Sequence, residues 1–327
     1  MWRFISVCLG LALPAWAEGG RIVTFTSEND SYTSRKDQNY TNGARVAVMD
    51  VDAAVPAWAE NAAKWIPYFT DGSRKGVTYG LGHNLYTPEN TKTSTPQPTD
   101  RPYAALLYGS IGYTAAPEDL SVVDDVEFLA GMVGPAAMGR EVQQLVHEAV
   151  DGIKPRGWAH QLENEPVLML SAQRRWPNVW EAQGDTLKLS LTPHAGFAVG
   201  NLLTYGAAGG TLSLTAKNAP VQDQPLRVRP ALPGTGYFEP SGNRLGWSVF
   251  GGVEGRAMAH SVFLDGNTFR SDSPRVDKRV AVFDAQTGVA FTYGNARVAY
   301  TVVYRSKEFH GQDDANIFGA LTLSLRY

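Results

Sequence analysis

The sequence predicts an all-β protein, a transmembrane antiparallel β-barrel of about twelve strands with one short α-helix in an extracellular loop. Three observations indicate this fold. Strand-like segments recur along the chain, the last of them ends on a terminal aromatic residue, and no segment after the N-terminal leader has eighteen uninterrupted apolar residues. Without a transmembrane helix, a chain crosses a bilayer only as a closed barrel whose backbone groups are all paired.

The N-terminus has the features of a secretory signal peptide. A basic residue, an apolar run over 4–13 and an A-x-A cleavage pattern at 15–17 follow one another. This apolar run is shorter than the ~20 residues that a spanning helix needs. We therefore expect residues 1–17 to be a signal peptide and residues 18–327 to form one barrel domain. The single cysteine, Cys8, lies in the leader, so the mature chain is expected to have no disulfide.

The strands are recognised by apolar and polar residues that alternate with a period of two. In the last segment, apolar residues occupy the odd positions from Leu321 to Tyr327, and this ending resembles the final strand of bacterial outer-membrane barrels. In such a barrel the apolar face meets lipid and the charged face lines the lumen. The predicted strands are residues 21–27, 41–49, 76–86, 103–114, 122–133, 166–176, 185–199, 204–215, 245–264, 279–293, 296–305 and 315–327.

The polar loops are predicted to lie at one end of the barrel. With both termini periplasmic, the extracellular connections are 28–39, 88–101, 134–165, 265–278 and 306–314. The connections 50–74 and 216–244 fit this scheme less well, because they are long and periplasmic turns are usually short. A pairing shifted by one strand in the middle of the chain would also explain their length.

Two polar motifs flank the first extracellular loop, E-N-D-S at 28–31 and Y-T-N-G at 40–43. A hairpin turn explains them, because Asn, Asp, Ser and Gly adopt the backbone angles of turns. A site also explains them, because the carboxylate and amide oxygens of Glu28, Asn29 and Asp30 are ligands that suit Ca²⁺.

The segment 139–152 has the one helical pattern in the sequence. Gln143 and His147 are four residues apart and share a helix face. His147 is either a solvated helix residue or a general base, because imidazole accepts a proton near neutral pH. Apolar residues at three- and four-residue spacing predict a stripe that packs against the outer barrel wall. This stripe comprises Val142, Leu145, Val146, Ala149 and Ile153.

Several function classes are excluded by what the sequence lacks. It has no G-x-S-x-G elbow, no H-E-x-x-H motif and no cysteine pair, so hydrolysis would use an activated water. A metal held by Asp30, Glu28 and Asn29 could polarise an ester carbonyl while His147 deprotonates that water. The formal net charge of −3 leaves no basic excess for nucleic acid.

Further motifs follow in order along the chain, namely L-Y-T-P at 85–88, D-R-P-Y-A at 100–104, Q-x-x-x-H at 143–147, G-W at 157–158, L-D-G-N at 264–267 and E-F at 308–309. With the first two motifs, this ordered set resembles the lipid A 3′-O-deacylase (LpxR-like) family of outer-membrane β-barrel enzymes. The resemblance covers nearly the whole mature chain.

The resemblance implies a carboxylic ester hydrolase that removes the 3′-linked acyl (acyloxyacyl) chain of lipid A with the help of Ca²⁺. Its substrate would be lipopolysaccharide, its place the bacterial outer membrane, and its active site would lie between the outer wall and the loop helix, facing the exterior. We expect a monomer. Carried over by motif, His147 would activate water, Asn29 and Asp30 would organise the metal and oxyanion region, and Thr41 would line the site.

The remaining site residues are assigned by the same resemblance. Lys92, Arg101 and Gln143 are predicted to bind substrate, although Arg101 is mainly interpreted as a rim residue, whose guanidinium could hold a lipid A phosphate. The family has a glutamate six residues after the histidine, where this chain has Ile153, so Glu28 is the predicted second carboxylate of the metal. Asp265 and Glu308 are predicted to structure loops.

Two other functions are compatible with the sequence. An outer-membrane phospholipase would share the calcium and the histidine but would act on glycerophospholipid. A channel or adhesin would be a barrel of the same kind without enzymatic activity.

Overall fold

The computed structural model describes residues 20–33, 39–51, 55, 57–66, 69–70, 72–149 and 155–327. The predicted signal peptide and Ile153 lie outside these ranges. The described helices are α1 (Ala57–Ala63), α2 (Gly139–Ala149) and α3 (Val262–Asp265). The described strands are β1 (Arg21–Asn29), β2 (Asn39–Val51), β3 (Arg74–Thr87), β4 (Ala104–Ala116), β5 (Val123–Val133), β6 (Glu165–Arg175), β7 (Trp180–Gln183), β8 (Leu187–Gly200), β9 (Leu203–Ala216), β10 (Leu245–Ser261), β11 (Ala281–Tyr293), β12 (Ala296–Arg305) and β13 (Asn316–Arg326).

Twelve of these strands close into an antiparallel barrel. Each strand pairs with the next along the chain, and β1 pairs with β13, so that the two ends of the sheet meet. The thirteenth, β7, continues the line of β6 along β8, while β6 itself pairs with β8 from Met169↔Gly200 to Arg175↔His194. The predicted twelve-stranded barrel is therefore confirmed, and the pairing is not shifted in the middle of the chain.

The predicted alternation of faces also holds. Along β1, Thr24, Thr26 and Glu28 are buried in the lumen, whereas Phe25 is exposed on the outside. The outer surface carries a belt of exposed apolar side chains such as Leu81, Leu168 and Leu323. None of the helices in the described ranges is long and apolar enough to cross a membrane.

The long connection between β9 and β10 explains one of the two misfits in the loop scheme, because part of it folds into the lumen. Thr26 and Thr322 both donate hydrogen bonds to the carbonyl of Leu226. Arg229 forms an ion pair with Glu127 at 3.0 Å. We call residues 222–238 the lumen segment. It is buried against opposite sides of the barrel, so the connection is long because it fills the interior.

The loop end of the lumen is closed by packing. Phe263 of α3 stacks on Tyr86 with ring centroids 4.0 Å apart, and Tyr40 packs edge-on against Phe318. Above them, Arg101 lies 5.0 Å from the centre of the Tyr86 ring. The loop end of the barrel is thus packed, whereas lumen cavities of about 110 and 950 Å³ lie beside the lumen segment and toward the opposite end.

Candidate functional site

One row of outward-facing positions crosses the first four strands near the loop end. The strand register pairs Asn29 with Asn42, Asn42 with Leu85, and Leu85 with Ala105. Adjacent strands lie about 4.8 Å apart, so Asn29 is about 10 Å from Leu85 along this row. The polar half of the row lies on β1 and β2, and its apolar half lies on β3 and β4.

Helix α2 lies on the apolar half of this row, outside the barrel. Ala104 and Leu106 belong to the lumen core, whereas Ala105, between them, belongs to an outer cluster with Leu85, Tyr103, Ala137 and Trp158. Val142 of α2 packs against that outer cluster. Gly139 begins the helix, and a Cβ there would lie 2.5 Å from the Cβ of Ala105, so glycine allows this close approach.

Two polar contacts hold the start of the loop, one to the wall and one to the end of the same loop. His83 points outward from β3, and its Nε2 lies 2.7 Å from the carbonyl oxygen of Ala137. A carbonyl only accepts, so this ring nitrogen carries the proton. The Ala136 amide donates to the side chain of Asn164 at 2.7 Å. The position of His83, two residues before Leu85 in β3, places it on the same outer face.

Gln143 is buried beneath the helix, and its Oε1 accepts a 2.7 Å hydrogen bond from Trp158 Nε1. Trp158 in turn packs on Tyr103 with ring centroids 5.0 Å apart. His147 lies one turn beyond Gln143 on the same face and is half-buried. The described contacts of α2 are thus with the apolar half of the row and with Trp158.

The predicted packing of the apolar stripe is wrong in part. Val142 contacts the wall cluster, but Leu145 is 70% exposed and Val146 is 40% exposed. The face that meets the wall contains Gly139 and Gln143 instead. Small and amide side chains allow a closer and hydrogen-bonded contact, which the spacing of apolar residues does not reveal.

Asn29 and Asp30 stand at the end of β1, where the chain enters a 3-10 turn. The Oδ1 of Asn29 caps the turn by accepting the Ser31 amide at 2.7 Å, and Asp30 is buried. The Tyr300 hydroxyl donates to the carbonyl of Tyr32 at 3.0 Å, which holds the turn to the wall. The residues of this motif therefore form a turn, and their role in a site stays a prediction.

Thr41 lies at a bulge where the register between β2 and β3 shifts. Its hydroxyl is 2.7 Å from that of Thr87, and both side chains are buried. Thr87 is two residues beyond Leu85, so the pair lies on the outer side, next to Asn42 and between β1 and the helix.

Glu28 does not join these residues, which corrects its assignment as a metal ligand beside Asn29. Neighbouring strand residues point to opposite faces, so Asn29 points outward and Glu28 points into the lumen. There, Glu28 accepts hydrogen bonds from Arg227 Nε and from the Val228 amide of the lumen segment. Its side chain is 1% exposed. Glu28 anchors the lumen segment.

Arg101 also lies away from the helix-covered face, so its assignment to a lipid phosphate is corrected. It is buried over Tyr86 and forms a 3.0 Å ion pair with Glu308. Lys92, by contrast, is exposed. The neighbouring carbonyl of Thr91 accepts the Arg156 amide at 2.9 Å, which joins this loop to the segment that follows α2.

Asp265 structures a loop, as predicted. It contacts His260 Nδ1 at 3.1 Å and Lys278 Nζ at 2.9 Å. Burial alone would raise the pKa of Asp265, but hydrogen bonds from His260, the Ser261 amide and Lys278 lower that pKa to about 2. The carboxylate is therefore ionised at neutral pH.

A calcium ion takes six to eight oxygen ligands from carboxylates, amide and backbone carbonyls and waters. With Glu28 in the lumen, Asp30 and Asn29 are the predicted ligands that remain at the outer end of β1. Within the described ranges, no group of three or more His, Cys, Asp or Glu side chains is placed to hold a metal ion. These donors do not form a calcium site by themselves, and the role of calcium stays a prediction.

Comparison with known proteins gives one family. The family model described as outer membrane protein LpxR matches residues 4–327. Among solved structures, LpxR from Salmonella typhimurium superposes with a TM-score of 0.73 at 18% identity, over 93% of this chain and 99% of that chain. The β domain of the Bordetella autotransporter BrkA gives a TM-score of 0.42 at 11% identity, over 95% and 99% of the two chains. Curated proteins give no match.

Proposed function

Because the chain belongs to the LpxR family of outer-membrane proteins, we propose that it is a lipid A deacylase that hydrolyses the 3′-linked acyl (acyloxyacyl) ester of lipid A. The observation that supports this most is the position of α2. The helix packs on the outer wall through Val142, beside the row that contains Leu85, and His147 follows one turn after the buried Gln143. An ester at the lipid-facing surface of a barrel is the substrate that such a site can reach.

The lumen holds a cavity of about 950 Å³ at the end away from the polar loops, but it is blocked toward the loop end. The lumen segment spans the lumen, and the buried side chain of Glu127 binds both Arg45 and Arg229 at 3.0 Å. Phe263 and Tyr86 close the loop end. A passive channel therefore has less support than an enzyme that works on its outer wall.

In the proposed reaction, His147 acts as the general base. Its imidazole removes a proton from a water molecule while the water oxygen attacks the ester carbonyl carbon. The tetrahedral intermediate then collapses, its bond to the sugar oxygen breaks, and this oxygen takes the proton from the imidazolium to become a hydroxyl. The products are a free fatty acid and a lipid A hydroxyl.

Asn29 is suited to the negative charge that develops on the carbonyl oxygen. Because its Oδ1 is engaged by the Ser31 amide, its Nδ2 is the end that can donate a hydrogen bond to an oxyanion. The Thr41–Thr87 pair and Gln143 position this surface by packing and hydrogen bonding. Calcium dependence is a separate proposal, based on the family resemblance and on the Asp30 carboxylate.

The test is mass spectrometry of lipid A from cells that produce the wild-type protein or His147→Asn. Wild type should remove the 3′ chain, and His147→Asn should leave lipid A intact while heat-modifiable gel migration shows a folded barrel. His160→Asn is the matched control, because His160 is exposed on the same loop and binds only the Ser94 carbonyl among the described contacts.

Three outcomes would contradict the proposal. If His147→Asn is still active, His147 is not the general base. If lipid A stays unmodified with the wild-type protein, lipid A is not the substrate. Lysophospholipid formation with intact lipid A would instead identify an outer-membrane phospholipase.

A further inference from the structure

Helix α2 carries an apolar flank that the barrel does not cover. Met138, just before the helix, and Val142 and Leu145 within it follow at four- and three-residue spacing, so they lie along one side. Met138 is 52% exposed and Leu145 is 70% exposed, although Val142 between them packs on the wall cluster. Val146 lies beside this flank and is also exposed.

Met138 occupies a backbone conformation that large side chains rarely adopt. Its φ of 54° lies in the left-handed region, which costs a residue with a Cβ roughly 1–2 kcal/mol. Glycine or asparagine would make the turn into α2 at lower cost. A large apolar side chain kept at this position, and exposed, points to a contact outside the protein.

The apolar flank is continuous with the lipid-facing belt of the barrel. The wall positions under the helix include His83 and its register partner Leu107. Two residues further along each strand, about 6.6 Å, is the row that contains Leu81 and Leu168, which are 61% and 54% exposed. A helix about 10–12 Å wide is broader than this step, so α2 lies beside the belt.

We propose that α2 is a membrane-inserted helix whose apolar flank lies among the acyl chains of the outer leaflet. The occupant is lipid hydrocarbon, because the flank extends a surface that already faces it. Arg140 and Gln144 lie on the opposite flank, which gives the helix the amphipathic character of interfacial helices. This inference rests on the membrane position of the barrel and not on its hydrolytic activity.

The test uses spin labels, because Cys8 is the only cysteine and Cys8→Ser gives a cysteine-free chain. Nitroxides are attached to Met138→Cys, Leu145→Cys and Arg140→Cys, and the proteins are reconstituted in dilauroyl phosphatidylcholine vesicles. Arg140 is the control, because five residues on a helix correspond to about 140° around its axis from Leu145. Electron paramagnetic resonance then compares accessibility to oxygen, which concentrates in hydrocarbon, with accessibility to a water-soluble nickel complex.

At Met138 and Leu145 we expect oxygen accessibility several-fold above nickel accessibility, as for a label at Leu81→Cys on the belt. At Arg140 we expect the reverse. Equal nickel accessibility at Leu145 and Arg140 would overturn the inference. Protection of Leu145 from both reagents, with spin–spin broadening between molecules, would overturn it in favour of a second copy of the chain. Neither result depends on deacylation.

Discussion

The ion pair between Glu28 and Arg227 separates a structural role for Glu28 from a metal-binding role. We consider Arg227→Met, which keeps the length of the side chain and removes its charge. The carboxylate of Glu28 is 1% exposed, whereas the Arg227 side chain is 19% exposed. Loss of the arginine therefore leaves a negative charge in a place that water hardly reaches.

The magnitude follows from this asymmetry. Removing one partner of a buried ion pair costs about 3–5 kcal/mol, because the other charge stays uncompensated. The Val228 amide still donates to Glu28, which places the expected loss toward the lower end of that range. Glu28→Gln should cost less, about 1–3 kcal/mol, because Arg227 keeps its contact with Gln286 and reaches the lumen cavity.

The assay is reversible unfolding in urea of the barrel in lipid vesicles, for both single variants and the double variant. We expect the double variant to be more stable than Arg227→Met, since neither buried charge remains. If the losses in unfolding free energy of the two single variants add up to the loss in the double variant, the coupling between Glu28 and Arg227 is refuted. A calcium-dependent change in stability that disappears in Glu28→Gln would instead restore Glu28 as a metal ligand.

Three further predictions concern the rim, the helix and the metal. The folded pKa of about 2 for Asp265 lies below the unfolded value near 3.9. The stability that Asp265 contributes is therefore present above about pH 4 and is lost as pH falls toward 2. Hydrogen exchange over residues 262–278, corrected for the intrinsic pH dependence of amide exchange, should show this loss of stability. The Asp265→Asn variant should not show it. His83→Ala removes a hydrogen bond worth about 1 kcal/mol, so α2 amides should exchange roughly fivefold faster, and unchanged rates would contradict this. Chelation should abolish deacylation and added Ca²⁺ should restore it, whereas full activity in chelator would exclude calcium assistance.

The sequence was sufficient to predict the strands, because residues that face the outside and residues that face the lumen alternate along each strand of a barrel. The same rule would have placed Glu28 correctly, since it continues the inward positions Thr24 and Thr26 and cannot share a face with Asn29. The motif grouped them because they are adjacent in the chain. The 3.6-residue spacing located α2 but not its wall-facing side, because Gln143 is buried through a hydrogen bond to Trp158, fifteen residues away.

The interior connection illustrates a different limit. Residues 222–238 have no regular period, and their length looked like a misfit in the loop scheme. Leu226 and Phe238 are buried only because the closed barrel provides partners from several strands. Likewise, the guanidinium of Arg101 is chemically able to bind phosphate. In the structure it forms an ion pair with Glu308, from a loop more than two hundred residues away.

For this protein, the sequence by itself determined the barrel, the order of its strands, the end that carries the polar loops and the presence of a helix with Gln143 and His147. Those features depend on local periodicity and on the number of strands. Neither of these requires a particular partner elsewhere in the chain. Only the tertiary structure decided which polar residues face outward together, which fill the lumen, and which flank of α2 stays uncovered. Each of these is set by partners distant in the chain, and such partners leave no periodic signal in the sequence.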